Sequence, residues 1–119
     1  MAKLETVIAG DFYETLRKIE DGILSSSMSA SLEEASDFSG GGARCSVRVF
    51  ERYSYMGKNR VSLSVTLFGY GDKLHLSAIT SGGSQAMFFK MNTWGEEAFL
   101  ETLEELVRRW PGERTSHNI

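Results

Sequence analysis

Residues 44–83 read RCSVRVFERYSYMGKNRVSLSVTLFGYGDKLHLSAITSGG, and the alternation within this stretch decides the fold. Cys45, Val47 and Val49 alternate with Arg44, Ser46 and Arg48. Val61, Leu63, Val65 and Leu67 alternate with Ser62, Ser64 and Thr66, and Leu74, Leu76 and Ala78 with Lys73, His75 and Ser77. An apolar residue at every second position marks a strand with one face on a core and the other open. Successive runs of this kind predict an antiparallel meander. A one-residue slip would turn a strand inside out, so the parity of each loop constrains the register. Odd residues inward on 44–55 and 60–68 require an odd connection, which a Gly57-Lys58-Asn59 loop supplies. The next run buries even residues, so its connection is even, at Tyr70-Gly71 or Gly69–Asp72. A two-residue turn at Gly82-Gly83 then leads to a fourth run, Gln85 to Met91, with Met87, Phe89 and Met91 inward.

Outward from the meander, two helices declare themselves. Phe12, Leu16, Ile19 and Ile23 recur at helical spacing behind Asp11, which stands as an N-cap. Phe99, Leu103, Leu106 and Trp110 repeat that spacing behind a Thr93/Glu96 capping box, and Arg108 and Arg109 close the helix where its dipole favours cations. Leu4, Thr6 and Ile8 predict a short strand before the first helix, and Met28, Ala30 and Leu32 another after it. Ser36 to Gly42 reads as a linker-like mobile loop. The expected fold is therefore α+β, in the order β-α-β-β-β-β-β-α. Five to six antiparallel strands carry two helices on one face. Residues 1–110 form a single domain and 111–119 a disordered polar tail, after the Pro111-Gly112 stop.

Composition narrows the function classes. With 119 residues the chain can bury a core without disulfides or metals, and its single cysteine excludes an internal disulfide framework. Its two histidines, His75 and His117, leave no histidine cluster for a metal, so neither a metal nor a cofactor is expected. The net charge of −3 gives no basic field, and no RNP-type motif is present, which disfavours nucleic acid. No apolar run approaches a membrane span, the first ten residues do not read as a signal peptide, and a cytoplasmic location is expected.

The same registers place Phe50, Thr66, His75 and Lys90 in one row across the open face, with Arg52, Ser64, Ser77 and Phe88 in the next. Arg48, Phe68 and Lys73 lie on the other side, and Cys45 points inward as a small core residue. Several aromatics on one open face suggest a patch, so Arg48, Phe50, Arg52, Phe68, His75, Phe88 and Lys90 are the candidate interface or ligand residues. Ordinary cross-strand pairing, a homo-oligomer interface, ligand or peptide binding and single-stranded nucleic acid all suit such a face, the last least well. An enzyme built on His75 with Ser64, Thr66 or Ser77 is the alternative. It lacks an orienting acid and a G-x-S-x-G elbow, so no catalytic residue is assigned.

The wording of the strands carries a resemblance. The runs at 44–54, 59–68 and 75–85, together with Gly95 to Leu100, are similar to an uncharacterised family of small proteins of Gram-positive bacteria, a domain of unknown function. That resemblance extends to about Trp110 and implies no activity. The element order also resembles a shortened helix-grip fold, whose members often hold apolar ligands between sheet and helix. By that analogy Met87, Phe89, Met91, Trp94 and Phe99 line a small apolar pocket under the C-terminal helix. The expected function is a non-enzymatic binding or interaction protein, acting through the open face or that pocket, as a homo-oligomer or with a small apolar ligand.

Overall fold

Alternation becomes pairing in the computed structural model, which describes residues 2–53, 59–82, 100–101, 103–105 and 107–108, and the backbone of 114–118. The strands are β1 (Ala2–Ala9), β2 (Ser31–Gly40), β3 (Ala43–Tyr53), β4 (Arg60–Tyr70), β5 (Lys73–Gly82) and β6 (Arg114–Asn118), with helix α1 (Phe12–Ser25) between β1 and β2. The described residues of 100–108 are helical and form α2. All six strands join one antiparallel sheet, ordered β2-β3-β4-β5-β1-β6. The predicted α+β class and meander hold, and the meander proper is β2 to β5.

α1 begins where its cap predicts: the Asp11 carboxylate accepts the Glu14 N–H at 2.9 Å, and the Asp11 carbonyl accepts the Thr15 N–H. Its apolar stripe, Phe12, Leu16, Ile19 and Ile23, is buried on the sheet. Leu100, Leu103 and Val107 of α2 enter the same core. Under them lie Leu4 and Ile8 of β1, Phe50 of β3, Val61, Leu63, Val65 and Leu67 of β4, and Leu74, Leu76 and Ala78 of β5.

Three expectations are corrected. On β3 the even residues face the helices: Ser46, Arg48 and Phe50 are buried, whereas Cys45, Val47 and Val49 are half-buried on the other side. Tyr53 pairs with Arg60, so the connection runs over 54–59, an even number, in place of the three-residue loop. The polar residues go inward because they find partners there, and Phe50, fully enclosed, supplies the apolar bulk. Next, Ser36–Gly42 is no loose linker. Ser31–Gly40 pairs along β3, and Gly41 and Gly42, at φ +59° and +83°, make a two-residue turn that L side chains rarely enter. Finally, part of the tail expected to be disordered, Arg114–Asn118, pairs with β1 as β6. The predicted strand at 85–91, and the start of the second helix with its Thr93 cap, lie outside the described residues.

Candidate interaction face of the sheet

The strand registers determine what shares the face opposite the helices. One row runs Phe38, Cys45, Phe68, His75 and Val7 across β2, β3, β4, β5 and β1. The next is Ser36, Val47, Thr66, Ser77 and Glu5, and the third Glu34, Val49, Ser64, Ile79 and Lys3. Tyr70 and Lys73 flank the first row. Phe38 is 67% exposed, Tyr70 62%, Ile79 40% and Phe68 39%, enough to present apolar surface to a partner. With β3 turned over, Cys45, Val47 and Val49 join this face, and the patch is more apolar than alternation alone predicts. The parity correction therefore changes the chemistry of the candidate site, exchanging Arg48, Phe50 and Arg52 for Cys45, Val47 and Val49.

A shallow depression of about 300 Å³ lies over the β4–β5–β1 part of the face, lined by Glu5, Val7, Thr66, Phe68, His75 and Ser77 among others. Gly71-Asp72 turns β4 into β5, so His75 stands opposite Phe68, and the two rings lie 6.0 Å apart at 49°. The sequence-based register set His75 against Thr66 instead. Thr66 faces Ser77. Among the described residues no hydrogen bond to the His75 side chain is formed, so a nucleophile–base–acid chain is not assembled around it.

Polar groups elsewhere on this face are held in pairs. Arg60 meets Glu51 at 2.7 Å and Glu33 at 3.3 Å, with its guanidinium 5.5 Å above the Tyr53 ring. Lys3 meets Glu5 at 3.7 Å.

Three of the sequence-predicted residues leave the open face. Phe50 is core. Arg48 lies beneath α1 at 8% exposure, where its Nε donates to Glu20 at 2.6 Å and its Nη1 approaches Asp37 at 3.0 Å. Burial opposes its charge, but the hydrogen bonds to Glu20 and Asp37 outweigh that and raise its pKa above the ordinary value. Arg52 faces the helix side opposite Val61, and burial lowers its pKa. Phe68 and His75 stay on the open face. Phe88 and Lys90 lie outside the described residues, as do the pocket candidates Met87, Phe89, Met91, Trp94 and Phe99. Cys45, expected in the core, sits on the open face beside Phe68.

Sequence reasoning missed Phe38, because Ser31–Gly40 shows no alternation. Nearly every residue of this edge strand is exposed on both sides, so burial imposes no period. The signal available was Gly41-Gly42, a two-residue turn like the one assigned at Gly82-Gly83.

At one end of the sheet, Gly10, Asp11, Gly42, Arg44, Gly69 and Gly71 line a polar notch beside the start of α1. The Asp11 carboxylate already occupies that helix end, so the notch is not an anion cradle. No group of three or more His, Cys, Asp or Glu among the described residues is placed to hold a metal ion. Nor is any helix among them long and apolar enough to cross a membrane.

A family model spans residues 1–111 of this 119-residue chain. The chain belongs to DUF6054, a family of unknown function. The match covers β1 to β5 and α2, hence every described residue of the open face of DUF6054 considered above, and ends before β6. Comparison with curated proteins finds no match.

Proposed function

We propose that this DUF6054 protein is a non-enzymatic binding protein that engages an apolar partner through the open face of β1 to β5. The observation that carries this reading is the row Phe38, Cys45, Phe68, His75 and Val7, with Val47, Val49 and Ile79 beside it, on a face opposite the helices. Apolar residues on the helix face fold the protein. Those on the open face contribute little to that core, and a contiguous exposed patch of this kind marks interaction surfaces. The polar pairs Lys3–Glu5 and Arg60–Glu51 lie around it as a rim lies around an interface centre. The wording of the strands at 44–54, 59–68 and 75–85 supports an origin in a Gram-positive bacterium.

The test is binding of the apolar dye 8-anilinonaphthalene-1-sulfonate to dilute folded protein. Wild type is expected to enhance its fluorescence, and Phe38→Ser/Phe68→Ser/Ile79→Ser to lose that enhancement while keeping the native circular dichroism. Equal dye binding by the two folded proteins would remove the open face as the binding surface.

A further inference from the structure

Resting on that reading, we infer that the partner of the open face is a second copy of the same chain, docked face to face about a two-fold axis running along β4. Such an axis superposes β2 on the partner's β1 and β3 on the partner's β5, and it keeps each cross-strand row in register with itself. The row contents are complementary under this operation. Phe68, at the centre of its row, meets its own copy, and Phe38 meets Val7 of the partner subunit. In the third row Val49 meets Ile79 of the partner subunit, and Glu34 on the edge strand β2 meets Lys3 of the partner subunit on β1. These two rows set apolar residues on apolar ones and an acid on a base, while the row between them sets Val47 on Ser77 of the partner subunit and Thr66 on its own copy. Each contact off the axis is made twice, as an isologous interface requires.

The size of the face agrees. Five strands at about 4.8 Å spacing, each contributing some 25 Å of length, give roughly 600 Å² per copy. Two such faces cover about 1,200 Å², the low end of specific interfaces, so a dimer that dissociates on dilution is the expected form. Aligned sheets pack at about −30°, which shifts β2 and β1, two strands from the axis on either side, by roughly 5 Å along their length, within reach of the extended Lys3 and Glu34 side chains. The acidic edge strand β2, carrying Glu33, Glu34 and Asp37, opposes edge-to-edge growth and favours a closed pair.

Sedimentation velocity across a concentration series tests this. Wild type is expected to move from the 13.2 kDa chain mass towards twice that value as concentration rises. Phe68→Glu, which sets two carboxylates against each other on the axis, is expected to stay monomeric. Lys3→Glu and Glu34→Lys alone are each expected to weaken association by roughly tenfold, and the double reversal to restore it. All these positions lie outside the core, so unchanged melting curves separate docking from folding. A wild type that stays monomeric at every concentration yet binds the dye through Phe38, Phe68 and Ile79 would overturn the second-copy inference and leave the proposed function standing. Loss of both would overturn both. A dimer indifferent to Phe68→Glu and to the charge reversals would overturn the two-fold arrangement about β4.

Discussion

Arg48 shows why a residue's character does not settle which way it points. A buried guanidinium is costly unless its charge and its donors are met. Glu20 on α1, Asp37 on β2 and the Ser36 and Val47 carbonyls meet them, so the side chain ties helix and edge strand to β3. Removing an acid while leaving the cation should hurt more than removing the cation itself. Glu20→Ala is expected to destabilise by about 1–3 kcal/mol in urea unfolding, and Arg48→Met by less, since no charge is then left buried. Asp37 adds a pH signature. Hydrogen bonds from Ser46 and Arg48 hold its carboxyl below the ordinary 3.8, so its contribution is present above that value and is lost as pH falls through the lowered folded pKa. The melting-temperature difference between wild type and Asp37→Asn should therefore be level from neutral pH down to about pH 5 and shrink at more acid pH. Alternation in 44–53 was legible, but not that the polar half had partners. Those partners lie on α1 and β2, far away in sequence and invisible to a local pattern.

Among the elements, α1 and the β4–β5 hairpin were the most readable. Their core stripes follow a strict period, and Asp11 caps α1 as its chemistry demands. The β3–β4 connection was misread because Gly57-Lys58-Asn59 looks like a complete turn, whereas pairing stops at Tyr53 and Arg60. Loop parity then inverted a whole strand, moving Phe50 from the supposed patch to the core and Cys45, Val47 and Val49 the other way. One packing detail makes a sharp element-scale test. A Cβ at Gly69 would stand 2.8 Å from Phe12 Cδ2 and 3.1 Å from Leu74 Cδ2, so β4 admits the first turn of α1 only through glycine. Gly69→Ala is expected to cost about 1–3 kcal/mol by chemical denaturation, and adding Phe12→Leu should return part of it.

For the molecule as a whole, the class and the core stripes of α1, β4 and β5 were readable from period alone, and the content of the other face was not. Its residues are defined by register across five strands, and a single inverted strand rewrites every row. Salt should act on the two faces differently. The Glu34–Lys3 contacts of the inferred dimer are screened within about 8 Å at physiological ionic strength, so raising salt should loosen self-association several-fold, read by sedimentation, while leaving the melting temperature of the monomer nearly unchanged. The chain order carries one more consequence. β1 is made first but pairs with β5, and Ala2 is tied to Thr80 by hydrogen bonds of 3.1 and 3.3 Å through the threonine hydroxyl. On the ribosome β1 must therefore wait, with Leu4 and Ile8 unshielded, until β5 has emerged. Closure of such a distant pair is slow. Pulse-labelled hydrogen exchange during refolding should protect the β3–β5 amides before those of β1. Of β1 to β5, the strand made first would then be the last to find its place, and nascent-chain chaperones would have time to meet it.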